Sequence, residues 1–576
     1  MNNGGKMANF NELTGLIWQV ADEILRGTFK AHEYGDATLP FVVLRRLDCT
    51  LESSKDEIYG FHQQNKKGMT EEEMAPILSK KTGKEYYNIS KYDLKRLSQD
   101  QHNVEQNFWD YVNGFSKNVR DIIDNFELGP IIKKLEKNNL LFMMIDKFGV
   151  VDLSPKNVSN REIGLVYEEL LRRFSEMSNE TAGEHYTPRD VIRLMVSLLF
   201  AEHVDELKGK GLKKSIYDPA CGTGGMLTLA KDYIHEEINP NIEIDLFGQE
   251  RNARTYATAR SELLVRGEDA GNIKDGSTFS QDGFQGKHFD YMLSNPPYGE
   301  DWKKEKTIVD NEAMNPLGRF YAGTPRISDG ALLFLENMIA KMEKKGSRIA
   351  IIFNGSPLFT GDAGSGESNI RKWIIESDWL EAVVAMPTDL FFNTGIATYV
   401  WLITNNKPER RKGKVQLINA IDFFKPLRKS LGKKRKEVCE NQMHEITEIY
   451  KSYTEGKLCK IFDNEDFGYT KVTVERPLME DGKVVKDRKG KKKPNTKLRD
   501  YEKIQLKDDI VEYFKREVVP HVPDAWMDRS RDKIGYEMNF TKYFYEFVPL
   551  RPLEDIKADI MKLLDETEGT VREIIE

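Results

Sequence analysis

At 576 residues the chain is several times the size of one hydrophobic core, so two or three domains are expected and a single small module is excluded. Hydrophobic residues make up 39% and charged residues 31%, with 29 Phe and 23 Tyr, which excludes a mainly disordered chain. The net charge is −7, so contact with nucleic acid must come from local basic patches or be shared with a partner.

The four cysteines, Cys49, Cys221, Cys439 and Cys459, form no CxxC pair. Neither a disulfide framework nor a zinc ribbon is expected, no metal site is predicted, and a reducing cytoplasm fits best. The first residues lack the layout of a signal peptide, and no apolar run approaches the roughly 20 residues that span a bilayer, so no membrane partner is expected.

In chain order, Leu13, Ile17, Val20, Ala21, Ile24 and Leu25 recur at three-to-four spacing and open an N-terminal helical domain, placed at residues 1–155. From about residue 156 to 425 short apolar strands alternate with helical stretches. These strands read SIYDPA, IDLFGQE, FDYMLSNPP, RIAIIFN, EAVVAMP and TYVWLIT. Apolar runs joined by helices indicate an α/β domain, doubly wound around a mostly parallel sheet, with ligands beyond the carboxyl ends of the strands. Residues 426–576 are expected to be mainly helical. They hold nine Lys or Arg against one acid between Lys483 and Arg499, a segment that is either a solvated linker or a phosphate contact. At the end, Leu553, Ile556, Ile560 and Leu563 recur at coiled-coil spacing, a candidate face for a partner helix.

Four segments carry chemistry. Thr187, Pro188 and Asp190 read as a helix start, with Thr187 as N-cap and Asp190 closing a variant capping box. The segment from Asp218 through Gly225 (DPACGTGG) is a strand end, a glycine-rich turn and a helix start. It fits neither the dinucleotide fingerprint nor the P-loop. With the acid Asp218 before the turn, it suits the amino group of an amino-acid-like cofactor such as S-adenosylmethionine. The next strand ends in Glu250, whose carboxylate can accept both hydroxyls of a ribose.

The fourth segment is Asn295-Pro296-Pro297-Tyr298, also after a strand. Proline lacks an N–H but keeps its carbonyl. The amide oxygen of Asn295 and the backbone oxygen of Pro296 therefore form two acceptors matched to an exocyclic NH₂ group, and Tyr298 can stack on the ring bearing it. Between Gly299 and Ile327 the connection, with Trp302, Arg319, Phe320, Tyr321 and Arg326, is long for a loop and is expected to be mobile.

With these motifs the chain resembles the gamma-order, S-adenosylmethionine-dependent N6-adenine DNA methyltransferases. More closely, it resembles the modification subunit of type I restriction-modification systems. The wider match takes in Ser328–Leu335, Leu390–Ile396, Val519–Trp526 and Ile534–Tyr536. The resemblance implies a Rossmann-like methyltransferase domain with a cofactor site of Tyr186, Thr187, Asp218, Pro219, Ala220, Gly222, Thr223, Gly224, Gly225, Glu250 and Ser277. It implies a target-adenine site of Asn295, Pro296, Pro297 and Tyr298, with a second stacking aromatic near Phe391 or Phe392, and a Gly299–Ile327 loop that closes on DNA. Where such proteins often carry Gly-Asp-Thr-Leu, this chain reads Gly276-Ser-Thr-Phe279, which leaves Ser277 and Asp275 as candidates for the cofactor's adenine ring.

The implied partners are double-stranded DNA, a specificity subunit bound by two copies of this chain, and a restriction subunit. Two alternatives remain. One is methylation of another planar amine or amide, in protein glutamine or RNA; the other is a non-catalytic, DNA-associated scaffold.

Overall fold

The structure, a computed structural model, describes residues 4–177, 187–546 and 552–575. Tyr186 and the rest of the Gly183–Tyr186 segment lie outside the described residues. Two compact units are resolved by their contacts, residues 1–538 and 539–576.

The expected N-terminal helices are present. In the first, Gly4–Leu25, the residues Ile17, Val20, Ala21, Ile24 and Leu25 are buried, as the spacing requires. The helix Tyr34–Leu51 is enclosed by its neighbours, with the Phe41 ring 5.7 Å from that of Phe108 and 5.6 Å from that of Phe148. The helix Asn160–Met177 joins this bundle to the rest of the unit. It packs against Tyr34–Leu51 on one side and Ala253–Arg266 on the other, and Phe174 stacks on Trp18 at 5.3 Å.

A nine-stranded sheet organises the centre. Its strands are β1 (Lys213–Asp218), β2 (Glu243–Glu250), β3 (Ile273–Asp275), β4 (Tyr291–Ser294), β5 (Arg348–Asn354), β6 (Leu380–Ala385), β7 (Thr398–Thr404), β8 (Lys414–Asn419) and β11 (Cys459–Asp463). The hairpin β9 (Lys425–Leu431) and β10 (Lys434–Glu437) lies between β8 and β11 in sequence and outside this sheet. The spatial order is β11-β8-β6-β7-β5-β4-β1-β2-β3. All pairings are parallel except those of β7 with β5 and β6, and of β11 with β8. Strands β4, β5 and β6 are buried along nearly their whole length and β1 and β2 toward their carboxyl ends, the reason these segments read as apolar runs, whereas the edge strand β3 exposes Lys274 and Asp275. Chain order reverses at β1, whose neighbours are β2 and β4. Ligands of such sheets bind at that switch point.

Three expectations need correction. Residues 426–576 are mixed rather than mainly helical. Beyond the helix Glu440–Ser452 they form a three-stranded antiparallel sheet of β12 (Gly468–Glu475), β15 (Asp500–Gln505) and β16 (Trp526–Tyr536), in the order β15-β12-β16. In β12 the four residues Val472, Thr473, Val474 and Glu475 are all buried, so no alternation of burial marks the strand, and the dense charge around it hides it further. The basic run enters a small hairpin of β13 (Met479–Glu480) and β14 (Lys483–Val484) and is exposed along most of its length.

The second correction concerns Gly299–Ile327, which is not a bare loop. It contains the helix Lys306–Ala313 and a core of its own, in which Trp302, Val309 and Phe320 pack with Phe279 and Leu333. Arg319 fastens it from within, bound to Glu312 at 2.7 Å and to the carbonyls of Thr278 and Phe279 at 2.7 and 2.9 Å. The third concerns the capping box at Thr187, which does not form. The helix is Arg189–Phe200, no side chain caps it, and Asp190 instead takes the ammonium of Lys434 at 2.9 Å and the backbone N–H of Val438 at 3.0 Å. A charged donor in a buried position outcompetes a backbone N–H for that carboxylate.

The terminal helix Leu553–Ile575 belongs to the second unit, and Leu553, Ile556, Ile560, Met561, Leu563 and Leu564 are all exposed on it. Among the described residues no helix is long and apolar enough to cross a membrane.

Candidate functional site

The carboxyl ends of β1, β2 and β4 come together around a cleft of about 290 Å³. Register places them side by side: Asp218 pairs with Gly248, Tyr217 with Met292, and Glu250 with Asp275. At the end of β1 the chain turns through Gly222 (φ +54°) and Gly224 (φ +88°), conformations that cost an L side chain, and enters the helix Gly225–Tyr233.

Asp218 is buried at 1% exposure. One carboxylate oxygen accepts the N–H of Ala220 at 2.9 Å and the hydroxyl of Ser294 at 2.8 Å, which ties β1 to β4. Burial pushes its pKa up to about 7, the nearby charge of Glu250 adds to this, and the two hydrogen bonds oppose it. Glu250 closes the glycine turn from the other side: its two oxygens accept the N–H groups of Gly222 at 3.1 Å and Asn252 at 2.8 Å. Each oxygen has a second lone pair available to a hydroxyl in the cleft.

Asn295 follows β4 directly. Its amide nitrogen donates to the Thr187 hydroxyl at 2.9 Å, and its amide oxygen accepts the Tyr298 hydroxyl. The Thr187 and Asn295 segments, 108 residues apart, thus meet through their side chains.

Of the residues singled out from sequence, Thr187, Asp218, Pro219, Ala220, Gly222, Thr223, Gly225, Glu250, Ser277, Asn295 and Pro297 line the cleft. Gly224, Pro296, Tyr298 and Asp275 do not appear on its wall. Tyr298 packs its ring against the main core, and Phe391 is buried within that core.

Sequence reasoning missed the far wall, made by Phe279, Trp302 and Phe334, with the Phe279 and Phe334 rings 4.6 Å apart. It also missed Glu168, a buried carboxylate on the helix Asn160–Met177 paired with both nitrogens of the Arg189 fork. An aromatic at the end of the Gly276–Phe279 turn was the available signal for the far wall. Nothing local marked Glu168.

Among the described residues, six carboxylates line the cleft, from Glu168, Asp218, Glu250, Glu300, Asp301 and Glu305, against the one guanidinium of Arg251, which pairs with Glu300. That balance suits a ligand carrying positive charge and repels a pyrophosphate, in agreement with the failed dinucleotide and P-loop patterns. Carboxylates for an ammonium and for hydroxyls and aromatic rings for a flat heterocycle line the same cleft, so the donor set fits a cationic amino-acid nucleoside.

A sheet ordered 3-2-1-4-5-7-6 with β7 reversed, a glycine turn after β1 and an acid ending β2 define a Rossmann-like methyltransferase. The model of the N-6 DNA Methylase family matches residues 159–476, and that of the HsdM N-terminal domain matches residues 13–148. This chain belongs to the N-6 DNA methylase family and is an adenine-specific DNA methyltransferase.

Among its relatives, the methylase subunit of the type I restriction enzyme MjaIX of Methanocaldococcus jannaschii is 26% identical over 505 residues, covering 82% of this chain and 83% of that protein. The HindI methylase subunit of Haemophilus influenzae is 30% identical over 260 residues, which are 45% of this chain and 54% of that one. The crystal structure of a type I restriction-modification methyltransferase subunit from Streptococcus thermophilus superposes with a TM-score of 0.63 at 23% identity, covering 79% of this chain and 96% of that one. A modification subunit of a type I enzyme from Vibrio vulnificus does so with a TM-score of 0.51 at 17% identity, covering 88% and 98%. Both share the fold.

Proposed function

We propose that this chain is the modification subunit of a type I restriction-modification complex and methylates an adenine extruded from duplex DNA, using S-adenosylmethionine. The observation that carries this reading is the joining, in one cleft, of the Asp218–Glu250 glycine turn and Asn295. The cofactor supplies an electrophilic methyl group.

Asp218 and the turn from Pro219 to Gly225 hold its amino-acid end, with Tyr186 and Thr187 on the neighbouring segment. Glu250 takes the ribose hydroxyls. Ser277, with Phe279 and Trp302 opposite, borders the adenine ring. Asn295 would accept one N–H of the target amine, and the carbonyl of Pro296, which lies off the cleft wall, would accept the other once the base is seated, leaving the nitrogen lone pair free for transfer and stabilising positive charge on that nitrogen. The Asn295 oxygen keeps a second lone pair for the amine beside its bond to the Tyr298 hydroxyl, and the Tyr298 ring would have to leave the core it packs against to stack on the base. The acidic cleft gains no advantage with an uncharged ligand, and the Asn-Pro-Pro-Tyr acceptor pair has no use in a scaffold.

Glu250→Ala should weaken S-adenosylmethionine binding roughly ten- to hundredfold, the loss expected for hydrogen bonds to a charged group. Glu250→Gln, which keeps an oxygen for the turn, should fall between. Calorimetry with the full chain checks this, and an unchanged dissociation constant moves the ribose contact elsewhere.

Residues 1–155 serve as the helical part and 156–425 as the catalytic part, while 426–576 complete the catalytic sheet with β11 and carry the assembly elements. Two copies of the chain would flank one specificity subunit, with a restriction subunit joining the complex in the cytoplasm. The apolar residues exposed on Leu553–Ile575 supply a docking face for the specificity subunit. Site-specific methylation should therefore require that subunit, and deletion from Pro552 onward should abolish its co-purification while sparing cofactor binding. Methylation of a defined site by this chain alone would overturn the partner requirement; co-purification retained after the deletion would overturn only the docking face.

A further inference from the structure

The cleft is acidic, and the chain carries a net charge of −7, yet a duplex must bring its phosphates to the rim where Asn295 lies. Bringing them there requires local positive charge, since phosphate neutralisation supplies most of the non-specific affinity for DNA. Residues 425–436 hold seven Lys or Arg and no acid. They form the β9–β10 hairpin, which turns at Gly432 (φ +59°).

Strand alternation sorts the charges of β10 and its approach. Lys434 and Lys436 point inward. The Lys434 ammonium is buried against Asp190 at 2.9 Å and the Leu390 carbonyl at 3.0 Å, and that of Lys436 lies 3.9 Å from the centre of the Phe424 ring. Lys433 and Arg435 point outward and, with Lys425, Arg428 and Lys429 of β9, are exposed; none of the five is ion-paired among the described residues.

The hairpin is also held by its backbone. The N–H groups of Lys433 and Arg435 donate to the carbonyls of Phe392 and Asp389, each at 2.9 Å, in the loop that follows β6. A Cβ at Gly432 would come within 2.6 Å of the Phe392 oxygen, so the approach is as close as a backbone allows. Asp190, the half-buried anchor of Lys434, lies three residues after Thr187, which bonds Asn295. The hairpin is thus a fixed arm at the rim of the target-amine site.

We infer that the β9–β10 hairpin grips the phosphate backbone of duplex DNA beside the extruded adenine through Lys425, Arg428, Lys429, Lys433 and Arg435. The inference rests on the reading of Asn295 as the target site. Its test compares two full-length variants of equal charge change: alanine at those five residues, and alanine at Lys486, Lys489, Lys491, Lys492 and Lys493 of the other basic run. Binding of a fluorescent 30-base-pair duplex is followed by anisotropy as salt is raised.

The hairpin variant should bind about tenfold or more weakly, with the slope of log K against log salt reduced by about 0.9 for each phosphate that is no longer neutralised. The control should keep the wild-type slope, and both should bind S-adenosylmethionine like the wild type, which shows that they fold. An unchanged slope in the hairpin variant, an equal loss in the control, or no salt-dependent duplex binding by the wild-type chain would each overturn the inference. So would loss of a partner subunit with DNA binding intact. Failure of the target site itself would show separately, as methyl transfer surviving without Asn295.

Discussion

Asn295→Ala should lower the rate of methyl transfer by at least about 10²–10³, the cost of removing one preorganised partner at a centre where charge develops, while S-adenosylmethionine binding persists. The amide meets two other side chains, the Thr187 hydroxyl at 2.9 Å and the Tyr298 hydroxyl. Alanine leaves both without that partner, so a stability loss of about 1–3 kcal/mol accompanies the catalytic one. Asn295→Asp separates the two effects. It keeps an oxygen for the amine and for Tyr298, loses the N–H to Thr187, and should retain more transfer than alanine at a similar folded fraction. Single-turnover methylation with saturating cofactor reads the chemical step. A wild-type rate in the alanine variant would remove Asn295 from the site.

Arg348→Met should cost about 3–5 kcal/mol of stability, as expected when one partner of a buried ion pair is removed. Arg348 is 1% exposed at the start of β5. Its guanidinium donates to Glu381 of β6 at 2.6 Å, to the Tyr450 hydroxyl at 2.7 Å and to the Leu199 carbonyl at 2.9 Å. It therefore joins two strands to two helices. Burial pushes the Glu381 pKa up, but Arg348 and Arg411 prevail and hold it below the ordinary value.

A depressed carboxylate adds stability at pH values above its unfolded pKa of about 4.3 and loses it as the pH falls through the lower folded value, so the central sheet and the helices it ties together weaken in acid. With Arg348 gone, the buried carboxylate loses its nearest compensating charge. The thermal midpoint should fall by several degrees, and the Arg348→Met, Glu381→Gln double variant should recover part of that loss. An unchanged midpoint in the single variant would show that Arg411 alone satisfies Glu381.

Some features of this protein are written in neighbouring residues. The glycine turn from Asp218 to Gly225, the acid that ends β2, and Asn295-Pro-Pro-Tyr298 each occupy a few consecutive positions. The alternation of apolar strands with helices announces a sheet whose strand ends gather on one rim. Once strand order is reckoned with, those segments have to meet, and Asp218, Glu250 and Asn295 do line one cleft. The N-terminal helices were legible for the same reason, since a 3.6-residue period is a local property.

The tertiary structure alone decided what long-range packing controls. Asp190 reads locally as a capping residue, but its partner is Lys434, 244 positions away, and no window of sequence contains both. Phe279, Trp302 and Phe334 form the far wall of the cleft because the Gly299–Ile327 segment folds around a core that includes residues before and after it. The charged C-terminal segment became a sheet because β12 found its partners well beyond its own neighbourhood, Val474 pairing with Asp500 of β15 and Met527 of β16. Local pattern determines which side chains an element can present. Which of them share a site depends on burial and pairing summed over the whole chain, and that sum is evaluated only when the chain folds.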